Sequence, residues 1–528
     1  RKGMRCLVLW LVVLPQVLRA GNILVYSPSI SKSHVISNTR IAETLASAGH
    51  HVVILLPEYQ AETKGFKTTD HPNVTTIRME NIGSHFDDNL ADCESGFAEV
   101  EFTSNKLRMD FELALMKMCR EIMLRREELE SVRNMKFDVG FTEQVDTCGL
   151  GVLHYLGIKN ILWISTTALM EANSYRLGVP QPASYVPTIE ENDNSDVLSF
   201  TGRAYNLYMY LVAIYIHRYG ADGTTEVFRS ILGPEFPHVG DIAANSSLCF
   251  VNSDEQFDLP RPTIWKNIFI GGLAVGAPKP LEKDIAAMLA KGRKGVVLVS
   301  FGTIAPFHAL PIEKQTDIID VLRELTDYHF ILKITNDDTT TAELAKGMKN
   351  LDLVTWIPQN DVLAHPRLKL FLMHGGLNGL MEAAHRGIPV VIIPFFADQF
   401  RNGRLVEKRG MGKVILKLDL NRKVLKEAVV DVLTHESYKR NAIKVAKLLR
   451  TRPFTAAERL VKWTEFAIEN GVLDHLHVEG SRMNTIVYFN VDVIAAVVIV
   501  LLTLIYTIYS VVRRICCSGK GRNKLKKQ

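Results

Sequence analysis

The chain has 528 residues, 47% hydrophobic and 23% charged, with a formal net charge of +5, which suits a globular protein of two or three domains carrying some extra apolar sequence. Arg1, Lys2, Arg5 and Arg19 lie in the first 20 positions and seven more basic residues lie in the last 16. The body between them is therefore net acidic, and no nucleic-acid partner is implied.

Residues 1–20, RKGMRCLVLWLVVLPQVLRA, join a basic start to an apolar run and a small residue before Gly21, the pattern of a secretory signal. After it come NILVYSP, a helix through TRIAETLASA closed by Gly49, and HHVVILLP. That is a βαβ unit, hence a parallel sheet. A helical region over 102–132 leads into the strands KFDVGFTE and NILWIST, and PTIEENDNSDVLSFT at 187–201 reads as an exposed loop. The stretch DLPRPTIWKNIFIGGLAVGAPKPLE is rich in Pro and Gly and breaks the periodicity. It places the boundary near Ala277, giving an N-terminal domain over 21–276.

A second α/β series, GVVLVSFGT, HFILKI, LDLVTWIP, LKLFLMHGG and IPVVIIPFFADQ, ends in helical segments near Asn470. The expected fold class is α/β, with two doubly wound Rossmann-like domains, 21–276 and 277–470, facing a cleft that is the expected ligand site. A juxtamembrane segment, 471–492, precedes 20 uncharged residues at 493–512, long enough at about 1.5 Å per residue to span a bilayer. The tail 513–528 holds seven Lys and Arg and no acid, which places it in the cytosol and the body in a lumen. Lys524 and Lys526 resemble a dilysine signal for retrieval to the endoplasmic reticulum. In such a lumen Cys93, Cys119, Cys148 and Cys249 can form disulfides, while no C-x-x-C suggests a metal. Asn73 and Asn245 head glycosylation sequons.

The densest motif is MHGGLNGLMEAAHRG at 373–387. Gly375 and Gly376 allow a sharp turn and close backbone approach, and Gly387 with Pro389 ends a helix whose free N–H groups favour a phosphate. His374, Asn378 and Glu382, spaced i, i+4, i+8, are expected on one helical face. Upstream, Trp356 can stack on a planar base beside Gln359 and Asn360; downstream, Asp398 and Gln399 follow a strand end. An aromatic, a phosphate-binding helix and a carboxylate–amide pair at successive strand ends describe a nucleotide-sugar.

The run WIPQNDVLAHPRLKLFLMHGGLNGLMEAAHRGIPVVIIPFFADQFRNG at 356–403 closely resembles the donor-binding signature of the UDP-glucuronosyltransferase family, and the resemblance extends over nearly the whole chain. It implies a GT-B fold, an acceptor-binding N-terminal domain, a UDP-sugar-binding C-terminal domain and inverting transfer without metal or cofactor, the UDP-sugar being a co-substrate. By resemblance Trp356 meets uracil, Gln359 and Glu382 the ribose, His374 and Asn378 the diphosphate, and Asp398 and Gln399 the sugar. Ser300 and Thr303 in SFGT match a donor-side loop. In PSISKSHVISNTRIAETLASAGHHV the family keeps its catalytic base, and His34 falls there, in the loop after the first strand. Where the family has an aspartate that orients the base, this chain has Glu143, with Asp146 three residues on; Glu143 is chosen because it ends the strand.

The implied partners are UDP-glucuronate or UDP-glucose, a small lipophilic acceptor and a membrane, with homo-oligomerisation left open. A glucuronate carboxylate wants a cation, yet Asn252 stands where vertebrate members often have arginine, and Lys32 and Arg40 are the alternatives. Two other classes compete with this reading. A nicotinamide oxidoreductase is discarded because GLGVLH at Gly149 has histidine at the third glycine position. A catalytically silent binding protein on the same fold is opposed by His34, Glu143 and the intact donor set.

Overall fold

The strand runs that read as unbroken apolar blocks are buried on both faces, as parallel strands covered by helices must be. Val139–Glu143, Ile161–Ser165 and Gly295–Ser300 are buried throughout. The computed structural model describes residues 20–89, 102–302 and 306–522. The signal segment up to Arg19, Cys93, Thr303, Lys524 and Lys526 therefore lie outside the described residues.

Strands β1 (Asn22–Tyr26), β2 (His51–Pro57), β3 (Val74–Met79), β4 (Val139–Glu143), β5 (Ile161–Ser165), β6 (Leu248–Val251) and β7 (Asn267–Phe269) form one sheet in the order β3-β2-β1-β4-β5-β6-β7. Strands β8 (Gly295–Ser300), β9 (Tyr328–Lys333), β10 (Leu351–Val354), β11 (Leu368–Met373), β12 (Val390–Ile392) and β13 (Gly412–Val414) form a second, in the order β10-β9-β8-β11-β12-β13. The pairings at the centre of each are parallel, β1 lying between β2 and β4 and β8 between β9 and β11. At these two places the strand order reverses, and a crevice opens beyond the carboxyl ends of the strands.

Helix α1 (Lys32–Ser47) begins well before the expected TRIAETLASA, because Ser31 caps it: the His34 N–H donates to Ser31 Oγ at 3.3 Å. His34 thus stands in the first helical turn, not in the loop after β1. The expected helix over 102–132 is α2 (Asn105–Leu124), capped by Ser104, followed by a tighter turn at Arg126–Leu129 and a short helix at Glu130–Arg133. A disulfide, Cys119–Cys148, ties α2 to the segment just after β4.

The stretch at 187–201 is exposed only toward its end, from Val197 onward, and its first part is buried. Thr188, Ile189, Glu191 and Asn192 are each at most 3% exposed, because their polar groups find distant partners: Asn192 and Thr188 share Asn206, and Glu191 accepts from backbone N–H groups of Thr103 and Ala397. Asp193 forms a two-pronged pair with Arg404. After it runs α3 (Phe200–Leu232), 33 residues long. Strands β3, β6 and β7 are further elements the periodicity did not announce. β7 lies inside the Pro- and Gly-rich stretch read as a boundary.

The second half carries α4 (Gln359–Leu363), α5 (Leu377–Arg386) and α6 (Gln399–Arg409) on its ligand side. Helix α7 (Ala456–Asn470) starts with a Thr455/Glu458 capping box. Although contiguous with the second half in sequence, it packs on the first sheet: Ala456, Leu460 and Ala467 join the core of Ile23, Val25, Ile54 and Phe141, and Asn160 donates to the Ala467 carbonyl at 2.7 Å. From Val478 onward the chain forms a separate unit. It contains α8 (Val491–Arg522), whose segment Val491–Cys517 is long and apolar enough to cross a membrane.

Candidate active site

One cavity of about 1120 Å³ spans the carboxyl ends of both sheets. On the first side, α1 and β4 meet at the switch point and bring His34 to Glu143, with Nδ1 2.6 Å from Oε2. Glu143 is fully buried, while the His34 side chain is 20% exposed and lines the cavity. Burial pulls the imidazole pKa down, but the Glu143 carboxylate, its hydrogen bond and the Asp398 charge across the cavity outweigh it, so the net shift is upward. With Nδ1 held by Glu143, Nε2 is the nitrogen left to take a proton.

Asp146 is engaged elsewhere. It accepts from Tyr59 Oη at 2.6 Å, Tyr26 Oη at 3.2 Å and the Cys148 N–H at 2.9 Å. Burial, with the Glu143 charge nearby, lifts it to about 7 against those bonds.

On the second side, β11 ends at Met373 and His374 follows it. Gly375 has φ +94°, and an added Cβ would lie 2.8 Å from Ile392 and 3.1 Å from the Gln399 carbonyl; only glycine fits without strain. Gly376 occupies the N-cap of α5 with no side-chain cap, so the first N–H groups of the helix are left for a ligand. The helix begins at Leu377, which places Asn378 and Glu382 one turn apart on it and leaves His374 before it. The three do not share one helical face, because the Gly375–Gly376 turn intervenes; all three nevertheless line the cavity. Burial and the nearby Lys333 charge, partly opposed by the Ser300 backbone, lower His374 to about 4. It is a neutral hydrogen-bonding group at physiological pH.

Ser300 ends β8, is buried, and lines the same cavity. Trp356 follows β10 with its side chain 63% exposed. Gln359 opens α4 and donates to Glu382 Oε2 at 2.6 Å; burial raises Glu382 to about 7, with the Gln359 bond and Arg386 acting the other way. Asp398 stands at the N-cap of α6, accepts from Asn402 at 2.7 Å and is raised to about 6 by burial. Gln399 turns its Oε1 back onto the Phe395 N–H at 2.8 Å, leaving its NH₂ group for a ligand.

The structure thus gathers His34, Glu143, Ser300, Trp356, Gln359, His374, Gly375, Gly376, Asn378, Glu382, Asp398 and Gln399 about one crevice. Asn378 is not idle there. It donates to Ser37 Oγ at 3.0 Å and accepts from Asn252 at 2.8 Å, both residues of the first half. Of the cations expected as alternatives for a sugar carboxylate, Lys32 is paired with Glu62 and Arg40 with Glu43. Sequence reasoning missed Lys333, at the end of β9, whose ammonium lies 5.8 Å from the Trp356 ring centroid and beside the Gly302 carbonyl. Its position at a strand end, shared with the residues expected to bind the donor, was the available signal.

Two parallel-sheet Rossmann-like halves with a shared crevice at their switch points are the GT-B fold. Residues 21–525 match the family described as "UDP-glucoronosyl and UDP-glucosyl transferase". Among curated relatives, the putative UDP-glucuronosyltransferase ugt-50 of Caenorhabditis elegans is 35% identical over 480 residues, covering 90% of this chain and 91% of the relative. UDP-glucuronosyltransferase 1A5 of Rattus norvegicus is 27% identical over 536 residues, covering 99% and 97%. Among solved structures, a UDP-glucosyltransferase from Polygonum tinctorium superposes with a TM-score of 0.59 at 16% identity, covering 86% of this chain and 99% of that one; this likeness speaks to the fold. The chain belongs to the UDP-glucuronosyl and UDP-glucosyl transferase family and is a UDP-glycosyltransferase.

Proposed function

We propose that the chain transfers a hexosyl group, glucuronosyl by preference, from a UDP-sugar to a hydroxyl or carboxyl oxygen of a small lipophilic acceptor, with inversion and without a metal ion. The observation that carries this reading is the His34–Glu143 contact at 2.6 Å, set in the same cavity as the donor residues. His34 Nε2 takes the acceptor proton as the acceptor oxygen bonds to the anomeric carbon and the bond from that carbon to the UDP oxygen breaks. Glu143 fixes the imidazole tautomer and stabilises the imidazolium, as an aspartate does in serine-protease triads. Attack opposite the leaving group turns an α-linked donor into a β-glycoside.

Trp356 stacks on uracil, and Gln359 with Glu382 receives the ribose. His374, Asn378, the Gly375–Gly376 turn and the α5 N-terminus take the diphosphate, where oriented N–H groups stabilise the departing charge, aided by Lys333. Ser300 flanks the donor, and Asp398 and Gln399 hold the sugar. The apolar walls Phe86, Leu107, Phe111, Met170, Ile189 and Ile216 support a lipophilic acceptor. The relatives' names support glucuronate as donor sugar. The chain is a single-pass type I protein of the endoplasmic reticulum membrane, held by α8 with its catalytic halves lumenal, a reading that rests on the signal-like start and the basic tail.

A UDP-glucosyltransferase is the second reading, favoured by one observation: Asn252, in the place of the frequent arginine, spends its amide on Asn378 and the Thr166 carbonyl. Steady-state rates with UDP-glucuronate against UDP-glucose, over a panel of phenols, decide between the two. Absence of UDP release with either donor and every acceptor would overturn both.

A further inference from the structure

We propose that Glu191, a residue of the acceptor half, is a positioning residue for the donor sugar: it fixes the 395–399 loop so that Asp398 and Gln399 face the crevice. This rests on the reading above that those two residues hold the sugar.

The contact runs both ways. The Glu191 N–H donates to the Ala397 carbonyl at 3.0 Å, and the Ala397 N–H donates to Glu191 Oε1 at 2.6 Å. Among the described residues, both backbone groups of Ala397 pair with Glu191 and with nothing else. The other carboxylate oxygen accepts the Thr103 N–H at 2.8 Å, and Glu191 is only 3% exposed. Both partners hold a backbone conformation that L-residues rarely adopt, with φ +51° at Glu191 and +54° at Ala397. Such conformations persist where the surroundings over-determine them and cluster at ligand clamps.

The rest of the 395–399 loop is braced by its own half, through Gln399 and through Lys417, which donates to the Phe395 carbonyl. Ala397, the residue immediately before Asp398, is braced from the other half. Beyond Glu191 the segment is clamped along α6 by Asp193 on Arg404 and Asp196 on Lys408. Before it, Glu190 pairs with Arg108 of α2, which lines the acceptor side. Successive glutamates therefore grip the acceptor wall and the donor loop. Sugar recognition is completed by a residue from outside the nucleotide-binding half, whereas the proposed uracil, ribose and diphosphate contacts do not use Glu191.

The test uses the full-length protein in detergent or membranes. Glu191→Gln keeps the shape but turns an NH₂ group toward a backbone N–H; Glu191→Ala removes the brace. UDP affinity is measured by calorimetry, and KM and kcat with both UDP-sugars under saturating phenol. The expected result in Glu191→Gln is UDP affinity within about twofold of wild type, with kcat/KM for the UDP-sugar down roughly tenfold or more. Unchanged kcat/KM, or a parallel fall in UDP affinity as in a merely structural defect, would overturn the proposal. If Glu191→Ala does not fold, Glu191→Gln decides alone. Asp398→Asn in the same assays separates the two layers. If Asp398→Asn spares UDP and impairs use of the UDP-sugar while Glu191→Gln leaves kcat/KM unchanged or weakens UDP in parallel, the brace is wrong and the sugar assignment stands; if Asp398→Asn leaves the UDP-sugar untouched, the assignment itself fails and the brace with it.

Discussion

Gln359 donates its side-chain amide to Glu382 at 2.6 Å, joining the start of α4 to the middle of α5 in one hydrogen-bonded unit. Burial raises the Glu382 pKa to about 7, so the carboxyl is largely protonated below that pH and ionised above it. Ribose hydroxyls donating to Glu382 favour the ionised form. UDP should therefore bind more tightly as pH rises through about 7, with proton release near and below that pH. Glu382→Gln should weaken UDP by about 1 to 3 kcal/mol and remove this share of the proton release. Calorimetry in two buffers of different ionisation enthalpy, wild type against variant, measures it. Equal proton release in both would place the ribose elsewhere.

His34→Ala should keep UDP affinity and lose about 10² to 10⁴-fold in turnover with neutral phenols or alcohols. The loss should be smaller with carboxylic acids, which are already ionised and need no base. Turnover of a phenol at the wild-type rate would mean that the base lies elsewhere.

The pH profile should report the same pair. Glu143 and Asp398 hold the imidazole above its ordinary pKa against the pull of burial, and the base must be unprotonated to act. Activity with neutral acceptors should rise with pH through that raised value. In Glu143→Gln the main upward influence is gone, so the acid limb of kcat/KM should move to lower pH while the plateau falls, because the tautomer is less firmly set. An unmoved acid limb would detach Glu143 from His34.

Gly375→Ala should be costly for two separable reasons. Its φ of +94° is unfavourable for alanine, and the new methyl would press on Ile392 and the Gln399 carbonyl. We expect a loss of about 1 to 3 kcal/mol in stability, read as a lower unfolding midpoint, together with weaker UDP binding. Gly347→Ala is the control: its φ is also positive, at +76°, but nothing lies within 4 Å of the added atom. It should be destabilised by strain alone and keep UDP affinity.

Most of the residues expected at the donor side lie in one contiguous run, 356–403, after successive strands, and the structure gathers them about one crevice with Ser300, while Lys333 lies outside that run. The first-sheet pair needed more. His34 and Glu143 stand 109 positions apart, and only the parallel neighbours β1 and β4 put them together. The segment at 187–201 misled for a physical reason: its composition is that of a solvated loop, but Glu190, Asp193 and Asp196 are paired with Arg108, Arg404 and Lys408, and Glu191 with backbone N–H groups of Thr103 and Ala397, partners that no local window contains. Strand β7 hid among prolines and glycines, and α1 began early because a single serine cap extends it past the stretch of strong apolar period.

Helix α7 carries a consequence for dissecting the protein. The polypeptide crosses between the halves twice, once near Ala277 and again just before Thr455, and the second crossing lays Ala456, Leu460 and Ala467 into the bed of Ile23, Val25 and Phe141. A chimera that exchanges acceptor specificity between relatives by one splice near residue 277 would graft a foreign helix onto that bed. Two splices, carrying 21–276 together with 456–470, keep the native interlock and are the unit in which this half can be traded.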